Sequence, residues 1–151
     1  MKQIKKIFVA IDLSDYSTQT MQYAAELANE LKARLIVVNV INQRDVEAIK
    51  RVALEGSNIS VGDYLENQEN ERLELIQNLI EERKCTHLAI KKVVYTGIPF
   101  QKLVHAVKDE DADLVVMGAK GRSNLANVLF GSTAEKMFRH CPVPLLSIRD
   151  R

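Results

Sequence analysis

Five short apolar runs recur along the 151-residue chain, and helix-patterned stretches separate them. Residues 7–11 (IFVAI) and 35–41 (LIVVNVI) are apolar almost without interruption. A strand with one face in water alternates apolar and polar residues, whereas a strand covered on both faces does not. These runs therefore read as strands of a parallel sheet lying between helices. Residues 114–117 (LVVM) and 145–148 (LLSI) read the same way. Residues 88–95 (LAIKKVVY) are rich in strand formers but carry Lys91 and Lys92, which suits a sheet edge.

The intervening stretches carry helical periodicity. Met21, Ala24, Ala28 and Leu31 recur at helical spacing, behind the N-cap candidates Ser14, Asp15 and Ser17. Over residues 61–84, Leu65, Leu73, Ile76 and Ile80 make one apolar face, and the many Glu and Arg residues read as a solvated one. After a turn at 96–99, Phe100, Leu103, Val104 and Val107 predict a helix packed on the sheet. A last helix starting near Ser132 should carry Ala134, Met137 and Phe138 inward, with Pro142 and Pro144 ending it. Residues 42–63 are less regular. Val46, Ile49, Val52 and Ala53 fit a short helix stopped at Gly56-Ser57-Asn58. Strand–helix alternation of this kind predicts an α/β domain, its sheet mostly parallel and its crossovers right-handed. The length suits one domain over 1–151.

Bulk properties narrow the function classes. Net charge is +1 and no long basic run occurs, so neither nucleic acid nor an anionic membrane is the expected partner. No apolar stretch reaches the roughly 20 residues that span a bilayer, and the N-terminal apolar run is too short for a secretion signal. The expected location is cytoplasmic. Cys85 and Cys141 have no metal-binding spacing and read as reduced structural thiols.

Half of the six glycines fall in VVMGAKGRSNLANVLFGSTAEK, residues 115–136. Glycine permits positive φ and lets a ligand approach without a Cβ in the way. Gly118 and Gly121 follow a strand. Gly131-Ser132-Thr133 stands where a helix begins, and its unpaired N–H groups with the helix dipole favour an anion. Lys120 and Arg122 add positive charge. Gly131-Ser132 alone would also fit a plain helix cap, and Asp12 alone would fit a turn-forming aspartate. Ligands of open α/β sheets lie beyond the carboxyl ends of the strands, where Asp12 and Gly118 stand. Neither a Walker A motif nor a GxGxxG fingerprint after the first strand occurs.

The spacing Gly118-x2-Gly121-x9-Gly131-Ser132 resembles the nucleotide-binding signature of the universal stress protein family, on its ATP-binding branch. KKIFVAIDLSDYS resembles the family's opening strand and acidic turn, VNVI its second strand, and residues 115–149 its C-terminal block. The resemblance implies a three-layer, Rossmann-like fold whose five-stranded sheet runs in the order 3-2-1-4-5. It implies ATP or AMP as ligand. Asp12 would line the nucleoside pocket and Val40 would meet adenine through its main chain. Gly118, Gly121, Gly131 and Ser132 would hold ribose and phosphates, with Thr133 adding an N–H and Arg122 a charge. It also implies a homodimer formed through the last strand, residues 143–148. Residues 13–16 (LSDY) are bulkier and more acidic than the family commonly has there. An added carboxylate near a triphosphate calls for a divalent cation, so Mg2+ bound through the phosphates is the expected companion.

No positioned nucleophile and base stand out, and His87, His105 and His140 read as structural. The expected role is a stress-response or signalling regulator rather than an enzyme. A slow metal-dependent ATPase or phosphotransferase, and a dimeric interaction module without nucleotide, remain the alternatives.

Overall fold

The computed structural model describes residues 1–85, 87–120 and 131–149. In chain order the elements are β1 (Lys6–Ala10), α1 (Tyr16–Leu31), β2 (Arg34–Asn42), α2 (Gln43–Leu54), α3 (Val61–Glu82), β3 (Ile90–Gly97), α4 (Pro99–Asp109), β4 (Leu114–Gly118), α5 (Ser132–His140) and β5 (Leu145–Ile148). The five strands pair in the order β3-β2-β1-β4-β5, every pair parallel. The uninterrupted apolar runs are the inner strands, as burial on both faces requires. The lysine-bearing run is the edge strand β3. It begins two residues later than its composition suggests and continues to Gly97, so α4 follows almost at once with Pro99 in its first turn.

Alternate residues of each strand serve opposite layers. Ile7 and Val9 of β1 and Leu35 and Val37 of β2 pack with Met21, Ala24 and Ala28 of α1 and Ile76 and Ile80 of α3. Phe8, Ile36, Val38 and Val115 pack with Leu103 and Val107 of α4 and Ala134 and Met137 of α5. Helices thus cover both faces.

Three local expectations change. Phe138 points outward and is 67% exposed, because the nine-residue α5 has room for one buried stripe and Ala134 and Met137 fill it. Leu31 ends α1 on the surface for a similar reason. The hydroxyls before α1 do not cap it. Asp15 occupies the N-cap position with no side-chain cap bond, and the Asp12 carboxylate ties the turn instead. The uncertain segment after β2 resolves into α2, capped by the Asn42 side chain accepting from the Arg44 N–H at 3.0 Å. Ser60 caps α3 by accepting from the Asp63 N–H. No helix among the described residues is long and apolar enough to cross a membrane.

Candidate functional site

β1 and β4 are neighbours, with Ala10 opposite Met117. The chain leaves β1 at Asp12 and β4 at Gly118, so the two exits open side by side. Beyond them lies a cleft of about 330 Å³. Asp12, Val40, Gly118, Gly131, Ser132 and Thr133 all line it. Six of the eight residues singled out in the sequence therefore meet in one cavity. Gly121 and Arg122 lie outside the described residues.

Asp12 is held in place by its own loop. One carboxylate oxygen, Oδ1, accepts from the Ser14 N–H at 3.0 Å and from the Ser17 hydroxyl at 3.2 Å. This side-chain turn starts α1 and carries Leu13 into a left-handed conformation, φ 63°, which is uncommon for a residue with a Cβ.

Neither Gly118 nor Gly131 uses the positive φ that glycine allows. Gly131 has φ −67° and ψ 161°, values open to any residue. Gly118 does not take a positive φ either; among the described glycines only Gly56 and Gly97 do. A Cβ on Gly118 would come within 3.1 Å of the Lys120 carbonyl oxygen and 3.3 Å of Thr20 Oγ1. The chain turns tightly there, and Gly131 N–H donates to the Ala119 carbonyl at 2.8 Å, joining the two ends of the loop. The first intrahelical bond of α5 runs from Glu135 N–H to Gly131 C=O, and the N-cap residue Gly131 has no side chain to cap the helix. The first turn of α5 thus begins at the cleft, where its amides could serve an anion. Lys120 lines the same end.

The cleft also holds residues that the sequence reading did not assign to it. The buried polar or charged side chains among the described residues are Ser17, Thr20, Asn39 and Arg72, and all four line this cleft. Asn39 Nδ2 donates to the Ile11 carbonyl at 2.8 Å. Arg72 of α3, 7% exposed, donates through Nη1 to Asn39 Oδ1 at 2.8 Å and to the Val40 carbonyl at 3.3 Å. Burying polar groups costs free energy unless they are bonded, so their collection at one place marks where the fold tolerates that cost. A signal did exist for Arg72. It stands seven residues after Leu65 and four before Ile76, on the apolar stripe of α3, where an arginine is out of pattern.

Thiol chemistry is not prepared here. Burial pushes the thiols of Cys85 and Cys141 up from their ordinary value, and neither lines the cleft. Among the described residues no cluster of His, Cys, Asp and Glu could hold a metal ion by itself. A cation at this site would need ligands from elsewhere, such as a bound phosphate chain.

The model of the universal stress protein family matches residues 3–149. Universal stress protein MJ0531 of Methanocaldococcus jannaschii is 30% identical over 141 residues, spanning 92% of this chain and 79% of that one. A universal stress protein solved in complex with cAMP superposes with a TM-score of 0.70 at 19% identity, covering 98% of both chains. One from Archaeoglobus fulgidus, solved in complex with dAMP, gives 0.63 at 17% identity, covering 97% of this chain and 98% of that one.

Proposed function

The chain belongs to the universal stress protein family, and from that premise we propose that it binds ATP or AMP in the cleft beyond β1 and β4 and acts as a nucleotide-responsive regulator in the cytoplasm. The observation that supports this most is the composition of the cleft. A bare glycine turn, an uncapped helix start and Lys120 gather at one end, and an apolar floor of Ala10, Val40, Leu103 and Met117 lies beside them. A ligand that is anionic at one end and a flat heterocycle at the other fits that division. The family neighbours solved with cAMP and dAMP carry ligands of this kind.

In this reading the first-turn amides of α5, the Ser132 hydroxyl and Lys120 take the phosphates. Gly118, Gly121 and Gly131 let the phosphates and ribose approach the backbone, and Arg122 adds charge. Asp12 lines the nucleoside, and the Val40 main chain meets the base. Asp15, the added carboxylate of residues 13–16, does not line the cleft, whereas Asp12 and Asp45 do. Mg2+ bridging the phosphates would relieve their repulsion, and its chemistry here would be charge neutralisation.

The test is the small-molecule content of protein purified without added nucleotide, released by denaturation and identified by mass spectrometry. A thermal titration runs alongside. Ligand at a hundredfold excess over its Kd stabilises by about 2.7 kcal/mol, which for a chain of this size raises Tm by roughly 5–10 °C. Stoichiometric adenine nucleotide or a saturable shift is the expected result. Empty protein with no shift under ATP, AMP or their Mg2+ complexes would leave a dimeric interaction module as the better reading.

A further inference from the structure

We propose that Arg72 is a positioning residue for base selection, acting through the end of β2; this rests on the nucleotide reading above. The Ile11 N–H donates to the Val38 carbonyl at 3.0 Å. In a parallel strand the N–H and C=O of one residue face the same neighbour, and residues two apart share that direction. The peptide groups of Val40 therefore face the side that β1 has vacated by turning off at Asp12, and Val40 lines the cleft. β3 still pairs the other side of β2 as far as Asn42, but on the cleft side no strand meets the Val40 peptide groups.

Arg72 supplies a contact on that open side. Its Nη1 bridges Asn39 Oδ1 and the Val40 carbonyl, while Asn39 Nδ2 reaches back to the Ile11 carbonyl. The ends of β1 and β2 and the middle of α3 are thus tied through one guanidinium. A backbone N–H and C=O side by side complement the edge of adenine, which offers an N6–H donor beside the N1 acceptor. Guanine offers the reverse, the O6 acceptor beside an N1–H donor. Discrimination between the two depends on the orientation of the Val40 peptide groups, and a site built to pair one pattern leaves buried groups unpaired with the other. Arg72 braces the Val40 carbonyl from the cleft side without touching the phosphates, which in the nucleotide reading lie at the α5 end. Both bonds leave one nitrogen, so a lysine ammonium can keep part of the contact but lacks the fixed plane of the guanidinium.

The experiment is isothermal titration of the full chain, Arg72→Met and Arg72→Lys with ATP, GTP and inorganic tripolyphosphate, together with the unliganded Tm of each. The expected result for Arg72→Met is a loss of ATP affinity of about tenfold, the value of one well-placed buried hydrogen bond. The preference for ATP over GTP collapses to within about threefold, and tripolyphosphate binding stays unchanged. Arg72→Lys falls between Met and the parent. A merely structural role would move Tm and weaken all three ligands in parallel, and that result overturns the proposal. So does an unchanged ATP-to-GTP ratio in variants that still bind ATP. Should Arg72→Met not fold, Arg72→Lys carries the same comparison. A parent chain that binds none of the three ligands overturns the nucleotide reading itself, whereas a parent that binds ATP with an Arg72-independent ratio overturns only the role of Arg72.

Discussion

Asp12 illustrates how a residue can serve the fold and the ligand at once. Its Oδ1 already accepts two hydrogen bonds from its own loop, so loss of binding in Asp12→Ala would mix a broken turn with a missing contact. Asp12→Asn separates them, because the amide oxygen can keep both bonds while the charge is gone. We expect Asp12→Asn to hold its unliganded Tm within about 2 °C of the parent, and Asp12→Ala to lose about 1 kcal/mol of stability through two orphaned donors. We expect ATP to bind both at least about tenfold more weakly. A thermal melt and a titration on each variant check this. Gly131 is a cleaner probe than its sequence context suggests. Its φ and ψ suit any residue, so Gly131→Val should fold at a cost of about 1 kcal/mol, the difference between glycine and an apolar N-cap. Its Cβ branch would stand in the space assigned to phosphate, and ATP binding should be lost. A Gly131→Val protein that binds ATP like the parent would reduce Gly131 to a helix cap.

At the scale of an element, β1 is fastened at its start as well as paired along its length. The Asp113 carboxylate accepts from the Lys5 and Lys6 N–H groups at 2.8 and 2.9 Å, and Lys2 Nζ approaches its other oxygen at 2.9 Å. The Lys2 ammonium and then the Lys5 amide hold the Asp113 pKa down to about 2, from 3.8. A carboxyl whose folded pKa is depressed stabilises the protein above its unfolded pKa, and the contribution disappears as pH falls through the folded value. The stability gap between the parent and Asp113→Asn should therefore be full at neutral pH, shrink below about pH 4 and close near pH 2. Urea melts over that range measure it. At pH 7 we expect the gap to be roughly 1 kcal/mol, since Lys2 is exposed and its ion pair adds little. The same scale explains why α3 misled. Its surface is crowded with Glu and Arg, and Arg72 differs from the others only in falling on the stripe of Ile76 and Ile80, which tertiary packing turns inward.

For the molecule as a whole, the sheet order leaves two edges, and they are unlike. β3 exposes Lys91 and Lys92, which discourage pairing. β5 has no such charges, and its own Leu146 is 37% exposed. We infer that a second copy pairs here, through residues 143–148, as the sequence resemblance implies. Sedimentation of the parent should give a dimer. Leu146→Lys should give a monomer at micromolar concentration, with nucleotide binding retained because the cleft is built from other residues. A monomeric parent, or a dimer indifferent to Leu146→Lys, would move the contact elsewhere.

The strand–helix alternation, the double burial of the inner strands and the lysine-marked edge were readable from residues alone. Each is a local consequence of periodicity and charge, and a parallel sheet between helices satisfies them together. The order 3-2-1-4-5 came from family resemblance, and pairing across the sheet carries it. The glycine and hydroxyl positions at one end of the cleft were legible because helix starts and close-approach glycines have short-range spacing. Only the tertiary structure decided that Asn39 and Arg72, 33 residues apart, would meet under the end of β2. It also decided that Phe138 would face out and that neither Gly118 nor Gly131 would take a positive φ. Those outcomes depend on which face of a helix the sheet leaves room for, and no local pattern carries that information.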